Sequence, residues 1–320
     1  MIYRATISPC GVPILWALVV SVAPENEILP LSRLLSWDTV YTWYVTSGEL
    51  FDLLAIAPDD RLDCERLLEG AVDQTAVAEA KALLLAGLGR FGETPFETRI
   101  ADPMVWLTAF LGLTPTVVEW HRLSGVPTDV TRASFADVGR NVAKNRQVHS
   151  EFGLETWQWL TPLYTGMMFT LGRLNFKLQT TDEKLVGVLA PGDWILGIHI
   201  PESGPLTSEM VDASLVQAKT FFARCFPDQP VAIATCVSWM LDPYLREHMS
   251  VETNIGSFAR RFTAMGCPQS DPTSALFFVF RTRDLGQVPT LPRNTTLQRL
   301  VLDRAVAGDP WQIGAGYLRL

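Results

Sequence analysis

The spacing of apolar residues changes near the middle of the chain. From about residue 50 to residue 153, apolar residues recur at intervals of three and four, and glycines and prolines separate the successive segments. This pattern is typical of amphipathic helices. After Gly172 the interval becomes two, which is typical of half-exposed strands. The pattern therefore predicts a helical first half and a second half that contains a sheet.

The second half is predicted to alternate between strands and helices. The predicted order is a helix over 157–171, strands over 174–178, 185–189 and 194–200, a helix over 207–226, a strand over 231–239, mostly helix over 242–262, and strands over 276–281 and 311–320. This order predicts a mixed α/β (α+β) chain, in which a mixed sheet flanked by helices follows a helical domain. The predicted divisions are an extension over residues 1–47, the helical domain over 48–155 and the sheet domain over 156–320.

The first 47 residues stand apart in composition. Arg4 precedes an apolar run over residues 14–20, and Ser21–Ala23 resembles the small-residue cleavage site of a secretory leader. The run is shorter than the roughly 20 apolar residues of a membrane span, so no span is predicted. An exported leader, a short packed segment and an extension from a wrongly chosen start codon are the alternatives. We expect a cytoplasmic protein because nothing downstream resembles a disulfide framework.

Residues 194–214 place a strand, a loop and a helix in succession. Pro201–Leu206 cannot continue the strand, because its two prolines lack the N–H donor that a sheet requires. Gly204 allows the backbone to approach a ligand closely, and Thr207 is suited to cap the following helix. A strand–loop–helix turn of this kind directs free N–H groups outward, which favours binding of a phosphate group.

The next predicted strand, residues 231–239, has one bulky and one small side. Ala234, Cys236 and Ser238 lie on the small side. If this strand runs parallel to residues 194–200, the small residues and Gly197 are expected to share a side and to form an apolar trough beside the histidine that ends the earlier strand. The alternative is that the small residues accommodate a packing helix.

Composition and charge exclude some classes of function. The formal net charge of −8 argues against a nucleic-acid-binding protein, which needs a basic surface. The five cysteines are scattered without a CxxC pair, and the four histidines lack metal-ligand spacing, so no metal site is predicted. With 48% hydrophobic and 19% charged residues, the chain has the composition of a folded globular protein.

Several segments resemble one family of bacterial acyltransferases. They are YTGMMFTLGRLNF (164–176), ILGIHIPESGPLT (195–207), CVSWMLDP (236–243), ETNIGSFARRF (252–262) and TTLQRLV (295–301), with 120–149 in the helical half. The family joins a helical N-acyltransferase N-terminal domain to a C-terminal domain related to the GNAT superfamily. The resemblance covers roughly residues 100–320 well and residues 50–100 loosely, so a GNAT-like sheet is expected over 156–320.

The resemblance implies a coenzyme A site. GNAT-like domains bind acyl-coenzyme A where two parallel strands separate, and the loop after the first strand cradles the pyrophosphate. The loop here, Pro201–Thr207, differs from the common R/Q-x-x-G-x-G/A pattern in having a single glycine. Acyl-CoA, acetyl or longer, is the implied co-substrate. The residues implied to contact it are Ile198, Ile200, Ser203, Gly204, Leu206, Thr207, Cys236 and Asn254.

Candidate catalytic residues follow from the chemistry of acyl transfer. An attacking amine must lose a proton, and the departing thiolate must gain one. His199 is the candidate base because its ordinary pKa lies near 6.5 and it ends the strand before the loop. The alternative is a neutral histidine in the core. Glu202 could orient His199 or act as the base, or be a solvated loop residue.

Other polar residues also have alternative roles. Ser238 could protonate the thiolate or simply pack, and Cys236 could be a nucleophile or a buried thiol. Arg173 could contact a phosphate or a substrate carboxylate, or form a surface salt bridge. The basic residues Arg140, Lys144 and Arg146 are predicted to form a solvated helix face.

The predicted function is therefore acyl-CoA-dependent transfer of an acyl group to a small-molecule amine acceptor, without nucleic acid, metal or membrane span. The alternative is a non-catalytic GNAT-like module that binds acyl-CoA or another ligand as a sensor or interaction protein. The sequence does not indicate an oligomeric state.

Overall fold

The computed structural model describes residues 47–91, 98–154, 156–185 and 187–320. The predicted extension over residues 1–47 lies outside the described residues except for Ser47. Among the helices in the described part of the chain, none is long and apolar enough to cross a bilayer.

The first half is helical, as its spacing predicts. Its helices are α1 (Ser47–Leu53), α2 (Pro58–Leu68), α3 (Gln74–Gly87), α4 (Pro103–Leu123), α5 (Thr128–His149) and α6 (Trp157–Tyr164). Asp73 and Asp102 cap α3 and α4 by accepting hydrogen bonds from backbone N–H groups of the first turn. The core of this half centres on α4, where Trp106 and Phe110 are fully buried.

The second half contains six strands and the helices between them. In chain order they are β1 (Met168–Leu171), β2 (Leu174–Thr180), β3 (Trp194–His199), α7 (Ser208–Cys225), β4 (Ile233–Ser238), α8 (Pro243–His248), α9 (Asn254–Arg260), β5 (Thr263–Ser270), α10 (Ser274–Phe280), α11 (Thr296–Ala307) and β6 (Gln312–Arg319), with 3-10 turns at Trp239–Leu241 and Leu285–Thr290.

The strands form one mixed sheet in the order β1-β2-β3-β4-β6-β5. Among the strands of the described residues, only β3 and β4 are parallel neighbours, and α7 is the crossover that joins them. The remaining neighbours are antiparallel, and β6 pairs with β4 on one side and with β5 on the other.

The two faces of the sheet differ in polarity because side chains alternate along each strand. One face packs against α7 and carries the apolar residues Phe176, Leu178, Leu196, Ile198, Ala234 and Cys236. The opposite face, which we call the polar face, carries Asn175, Lys177, Gln179, Gly197, His199 and Thr235. Helix α5 covers the polar face over β1, where Ser134 accepts a hydrogen bond from the N–H of Thr170.

The sequence predictions for three segments of the second half are wrong. Residues 276–281, predicted as a strand, lie mainly in helix α10. The predicted strand over 185–189 is a single bridge between Leu185 and Leu189. The predicted helix over 157–171 ends at Tyr164, and strand β1 follows. Short apolar runs fit either periodicity, so tertiary packing decides between helix and strand.

Strand β5 gives no strand pattern in the sequence. Most of its residues are exposed, Gly266 and Pro268 interrupt it, and the pairing with β6 shifts register between Met265 and Gln269. It is an edge strand, where such residues are tolerated.

Candidate functional site

Strands β3 and β4 separate as they approach the loop. Their parallel pairing comprises Leu196 with Ala234 and Gly197 with Thr235, whereas β3 continues to His199 and β4 to Ser238. The predicted parallel arrangement is confirmed. Past the paired residues, backbone groups on the facing edges lack a partner in the neighbouring strand, and such groups require another partner such as a ligand or water.

The predicted trough of small residues is wrong. Gly197 pairs with Thr235, so these two share the polar face. Ala234 and Cys236 lie on the opposite face and are buried against α7. The small residues therefore accommodate a packing helix, which is the alternative that the sequence left open.

The loop between β3 and α7 presents backbone N–H groups next to a helix start. Thr207 caps α7 by accepting a hydrogen bond from the N–H of Met210 at 3.3 Å, as predicted. Among the described residues, no acceptor binds the N–H groups of Glu202 and Leu206. Free N–H groups beside the positive end of an 18-residue helix form a site that suits an anion.

Helix α9 lies against the start of α7. The hydroxyl groups of Ser257 and Ser208 are 3.3 Å apart, and Asn254 precedes Ser257 by one turn. Asn254 is exposed at the first position of α9. The fold thus brings this candidate to the same end of α7 as the loop, although the two segments are about 50 residues apart.

Arg173 occupies the inner side of the loop and is only 6% exposed. It lies in the two-residue turn between β1 and β2, after Gly172 with a φ of +63°. Within the described residues, Arg173 neither forms the predicted surface salt bridge nor lies in a strand. Its guanidinium group donates hydrogen bonds to the carbonyl groups of Pro201, Gly204 and Pro205 and to the hydroxyl of Ser203.

Glu202 does not orient His199. Its carboxylate pairs with Lys144 of α5 at 3.4 Å and with Arg281 after α10, and no hydrogen bond joins it to His199 in the described residues. The ion pairs tie the outer side of the loop to two helices. The other basic residues of α5 are paired as well, Arg140 with Asp137 and Arg146 with Asp60. The basic face of α5 is therefore not merely solvated, in contrast to the prediction from the sequence.

His199 lies on the polar face beside Trp159 of α6. The ring centroids are 4.8 Å apart and the rings are nearly perpendicular, at 89°. A Cβ built on Gly197 would lie 3.6 Å from Nε2 of His199, so the imidazole extends over the glycine. Burial, and then the charge of Lys177, lower the pKa of His199 to about 4. The ring is therefore neutral at pH 7.

A buried carboxylate positions the tryptophan that touches His199. Asp137 is 3% exposed and accepts a hydrogen bond from the indole of Trp159 at 2.8 Å and from Asn175 at 3.4 Å. Neither Asp137 nor Asn175 is predicted from the sequence as a site residue. The available signal is the polar alternation of β2, which predicts exposure to solvent, whereas Asn175 is 1% exposed beneath α5.

The side chains of three other candidates do not face the side of the sheet that carries His199. Ser238 lies on the face opposite His199, and its hydroxyl accepts a hydrogen bond from the N–H of Met240 at 3.1 Å. Cys236 is 2% exposed, and burial raises the pKa of its thiol to about 12, as in an inert buried cysteine. The side chain of Ile198 is buried against α7, so only its backbone can face the strand separation.

Two open depressions of about 740 Å³ each lie away from the strand separation, one beside α3 and Asp102 and the other between α8 and the β5–β6 hairpin at Gly266. Neither is lined by His199 or by the β3–α7 loop. The candidate site is therefore defined by strand geometry and free backbone groups.

Comparison with known proteins assigns both halves. Residues 46–166 match the N-acyltransferase N-terminal domain, and residues 168–318 match the GNAT-like C-terminal domain. No curated protein sequence matches the chain.

Solved structures of acyltransferases resemble this chain over most of its length. An acyltransferase in complex with decanoyl-CoA is 26% identical, with a TM-score of 0.73, covering 86% of this chain and 87% of the other. An acyltransferase in complex with decanoyl-CoA and teicoplanin is 26% identical, with a TM-score of 0.74, covering 91% and 94%. An acyltransferase in complex with CoA and 10C-Teicoplanin is 28% identical, with a TM-score of 0.73, covering 87% and 88%.

The sheet, the separated strands, both domain matches and these structures agree with one another. The chain belongs to the family that joins an N-acyltransferase N-terminal domain to a GNAT-like C-terminal domain, and it is an acyl-CoA-dependent acyltransferase.

Proposed function

We propose that the protein transfers a medium-length acyl group from coenzyme A to an amine of a small-molecule acceptor, and that His199 is the base. The separation of β3 and β4 carries this proposal, because it leaves backbone groups of both strands free beside the histidine. The amine attacks the thioester carbonyl and the carbon–sulfur bond breaks. His199 takes the proton of the amine, and the thiolate leaves with the electron pair of the broken bond. The imidazolium then protonates the thiolate, which returns His199 to its neutral form.

The neutral state of His199 supports this role. Burial and Lys177 keep the pKa of the imidazole near 4, so its nitrogen is unprotonated at neutral pH. No hydrogen bond occupies the ring within the described residues, and its one ring contact is with Trp159. Asp137 in turn fixes the tryptophan through the indole N–H. The imidazole is thus oriented by packing and remains available to a substrate.

An apolar side chain beside the separation supports an acyl group longer than acetyl. Val237 exposes 69% of its surface on β4, on the same face as Thr235 and Gly197. A valine at this position can contact the methylene groups of an acyl chain that lies along the separation. The similar acyltransferases were solved with octanoyl-CoA and decanoyl-CoA, which supports chains of eight to ten carbons here.

The acceptor is expected to lie on the polar face. Lys177, Gln179 and Thr235 offer hydrogen-bonding groups there, beside helices of the first half. Two similar acyltransferases are complexes with teicoplanin or 10C-Teicoplanin. We therefore take teicoplanin as the first acceptor to test, together with a pool of simple amines.

The experiment measures thiol release from octanoyl-CoA and decanoyl-CoA with each acceptor. For His199→Gln we expect kcat to fall about 100-fold, as is usual on loss of a general base, with little change in the KM for acyl-CoA. His248→Gln is the matched control, because His248 is exposed on α8 and stacks on Tyr244. Unchanged kcat in His199→Gln would remove His199 from the mechanism.

The pH dependence gives a second test of the base. Because the pKa of His199 is lowered to about 4, the base form is present from about pH 5 upward instead of from about pH 7. We expect the limb of kcat/KM that belongs to the histidine to lie near pH 4, with circular dichroism confirming that the protein is folded there. A limb near pH 6.5 that disappears in His199→Gln would contradict the buried environment.

A further inference from the structure

The loop after β3 is held by a buried cation from another part of the chain. Arg173 donates from Nη1 to the carbonyl of Pro201 at 2.7 Å, from Nη2 to Gly204 at 2.9 Å and from Nε to Pro205 at 2.9 Å. Nη1 also lies 3.4 Å from the hydroxyl of Ser203. A guanidinium group offers five N–H donors in a rigid plane, so one side chain can organise several acceptors of a loop.

These bonds determine which way the neighbouring amides point. In a trans peptide unit the carbonyl and the following N–H point in opposite directions, and the described residues contain no cis peptide bond. Because the carbonyls of Pro201 and Pro205 point inward to Arg173, the N–H groups of Glu202 and Leu206 point outward. The third inward carbonyl, that of Gly204, precedes a proline, which has no N–H to direct.

The turn that carries Arg173 is itself anchored to α7. The backbone N–H of Arg173 donates to the hydroxyl of Ser214 at 2.7 Å, and that hydroxyl donates to the carbonyl of Met210 at 2.8 Å. A Cβ on Gly172 would lie 2.7 Å from the same hydroxyl oxygen, so the glycine permits the close approach. The guanidinium group is therefore fixed relative to the helix whose first turn borders the loop.

The charge of Arg173 has no carboxylate partner among the described residues. Its side-chain acceptors are three carbonyl groups and one hydroxyl, and the nearby carboxylate of Glu202 pairs with Lys144 and Arg281. Burial, and then the charge of Arg140, lower the pKa of Arg173, which agrees with the lack of a neighbouring anion. An unneutralised charge behind the loop adds positive potential on its outer side, where the amides point.

We propose that Arg173 is a positioning residue for coenzyme A: it turns the loop carbonyls inward, so that the amides of Glu202 and Leu206 face the pyrophosphate. This role rests on the proposed binding of acyl-CoA at the strand separation. This role explains how a loop with one glycine and two prolines can bind a pyrophosphate. The conformation of the loop is fixed by the Arg173 side chain, which comes from the β1–β2 turn.

The test compares octanoyl-CoA with octanoyl-pantetheine, which has the same thioester but no pyrophosphate. Lysine keeps the charge but cannot bind the loop acceptors in the same plane. For Arg173→Lys we expect the KM for octanoyl-CoA to rise about tenfold, about 1.4 kcal/mol of lost interaction, with kcat within about twofold. We expect kcat/KM for octanoyl-pantetheine to be unchanged.

Arg299→Lys is the matched control. Arg299 also donates to carbonyl groups of a loop, those of Arg293 at 3.1 Å and Asn294 at 3.4 Å, before α11. We expect neither substrate to distinguish this variant from wild type. Equal losses with both substrates in Arg173→Lys would overturn the proposal, because the effect would not depend on the pyrophosphate. Unchanged kinetics with octanoyl-CoA would overturn it as well.

The kinetics of Ser214→Ala and thiol release by the wild type distinguish failure of this proposal from failure of the proposed function. If Arg173→Lys does not fold, Ser214→Ala decides, because it removes the hydroxyl that anchors the Arg173 turn to α7 and leaves Arg173 in place. We expect the KM for octanoyl-CoA to rise about threefold with octanoyl-pantetheine unaffected. An equal or absent effect on the two substrates overturns the proposal. Failure of the proposed function would look different, because wild type would then release no thiol from octanoyl-CoA.

Discussion

The chain after β3 and the chain after β4 are both held by a buried arginine, but the two arginines differ in what balances their charge. Arg304 of α11 lies 2.9 Å from both carboxylate oxygens of Asp242, which is fully buried and also accepts the N–H of Gln312. Arg173 after β1 has only uncharged acceptors in the described residues.

The difference distinguishes an ion pair that stabilises the fold from an unpaired charge that favours anion binding. The Asp242–Arg304 pair is electrically neutral, and the guanidinium also lies over the rings of Tyr244 and Trp311. It fixes the end of β4 against α11 and β6 without leaving net charge. Arg173 fixes the end of β3 and leaves a positive charge behind the loop. One arginine therefore stabilises the fold, and the other prepares a surface for an anion.

Removal of the Asp242 charge is expected to give the largest effect. Asp242→Asn leaves Arg304 buried without a counter-charge, and breaking a buried pair in this way costs about 3–5 kcal/mol. We expect the free energy of unfolding, measured by urea titration, to fall by that amount, while the KM for octanoyl-CoA of the folded protein stays near wild type.

Asp303→Asn is the control for Asp242→Asn. Asp303 pairs with Arg293 on the surface, and its side chain is 62% exposed. We expect a loss of less than about 1 kcal/mol, as for other exposed pairs. Similar losses of stability in the two variants would contradict a special stabilising role for the Asp242–Arg304 pair.

Gly204→Ala is expected to give an intermediate effect, confined to the end of β3. Gly204 has a φ of +104°, and an added Cβ would meet no atom within 4 Å, so the substitution introduces only backbone strain. Strain of about 1 kcal/mol is expected to raise the KM for octanoyl-CoA about fivefold. Gly192→Ala, at a φ of +91° with equal space, should leave that KM unchanged. A rise in both variants would contradict a local role.

Glu202→Gln is expected to give the smallest effect. The carboxylate is about 40% exposed and pairs with Lys144 and Arg281. We expect the free energy of unfolding to fall by about 0.5 kcal/mol and the KM for octanoyl-CoA to change less than about twofold. The difference from wild type should vanish in about 1 M salt, where exposed charges are screened. A tenfold change in KM would make Glu202, and not Arg173, the residue that controls the loop.

The local part of this site was predictable from sequence. Strand β3, the proline-interrupted loop, the Thr207 cap and helix α7 follow from period, missing N–H donors and capping chemistry. Each depends on residues within a few positions of one another. The parallel pairing of β3 with β4 was also predicted, but its register was not, and that register decides which face Gly197 and Thr235 share.

The contacts between residues that are distant in sequence could not be predicted from the sequence. Arg173 binds carbonyl groups 28 to 32 residues away, and Asp137 reaches Trp159 and Asn175 from another helix. No period or motif encodes such contacts. The apolar run of α10 shows the same limit for secondary structure, because the five consecutive aromatic and aliphatic residues at 276–280 fit a strand as well as a helix, and tertiary packing selects the helix.

The position of β6 in the sheet has a consequence for biosynthesis. Residues 312–319 emerge from the ribosome after the other strands of the described sheet, yet they lie between β4 and β5. The nascent polypeptide therefore has no strand between β4 and β5 until residues 312–319 have left the ribosome. Such a delay favours chaperone engagement, because unpaired strand borders aggregate readily.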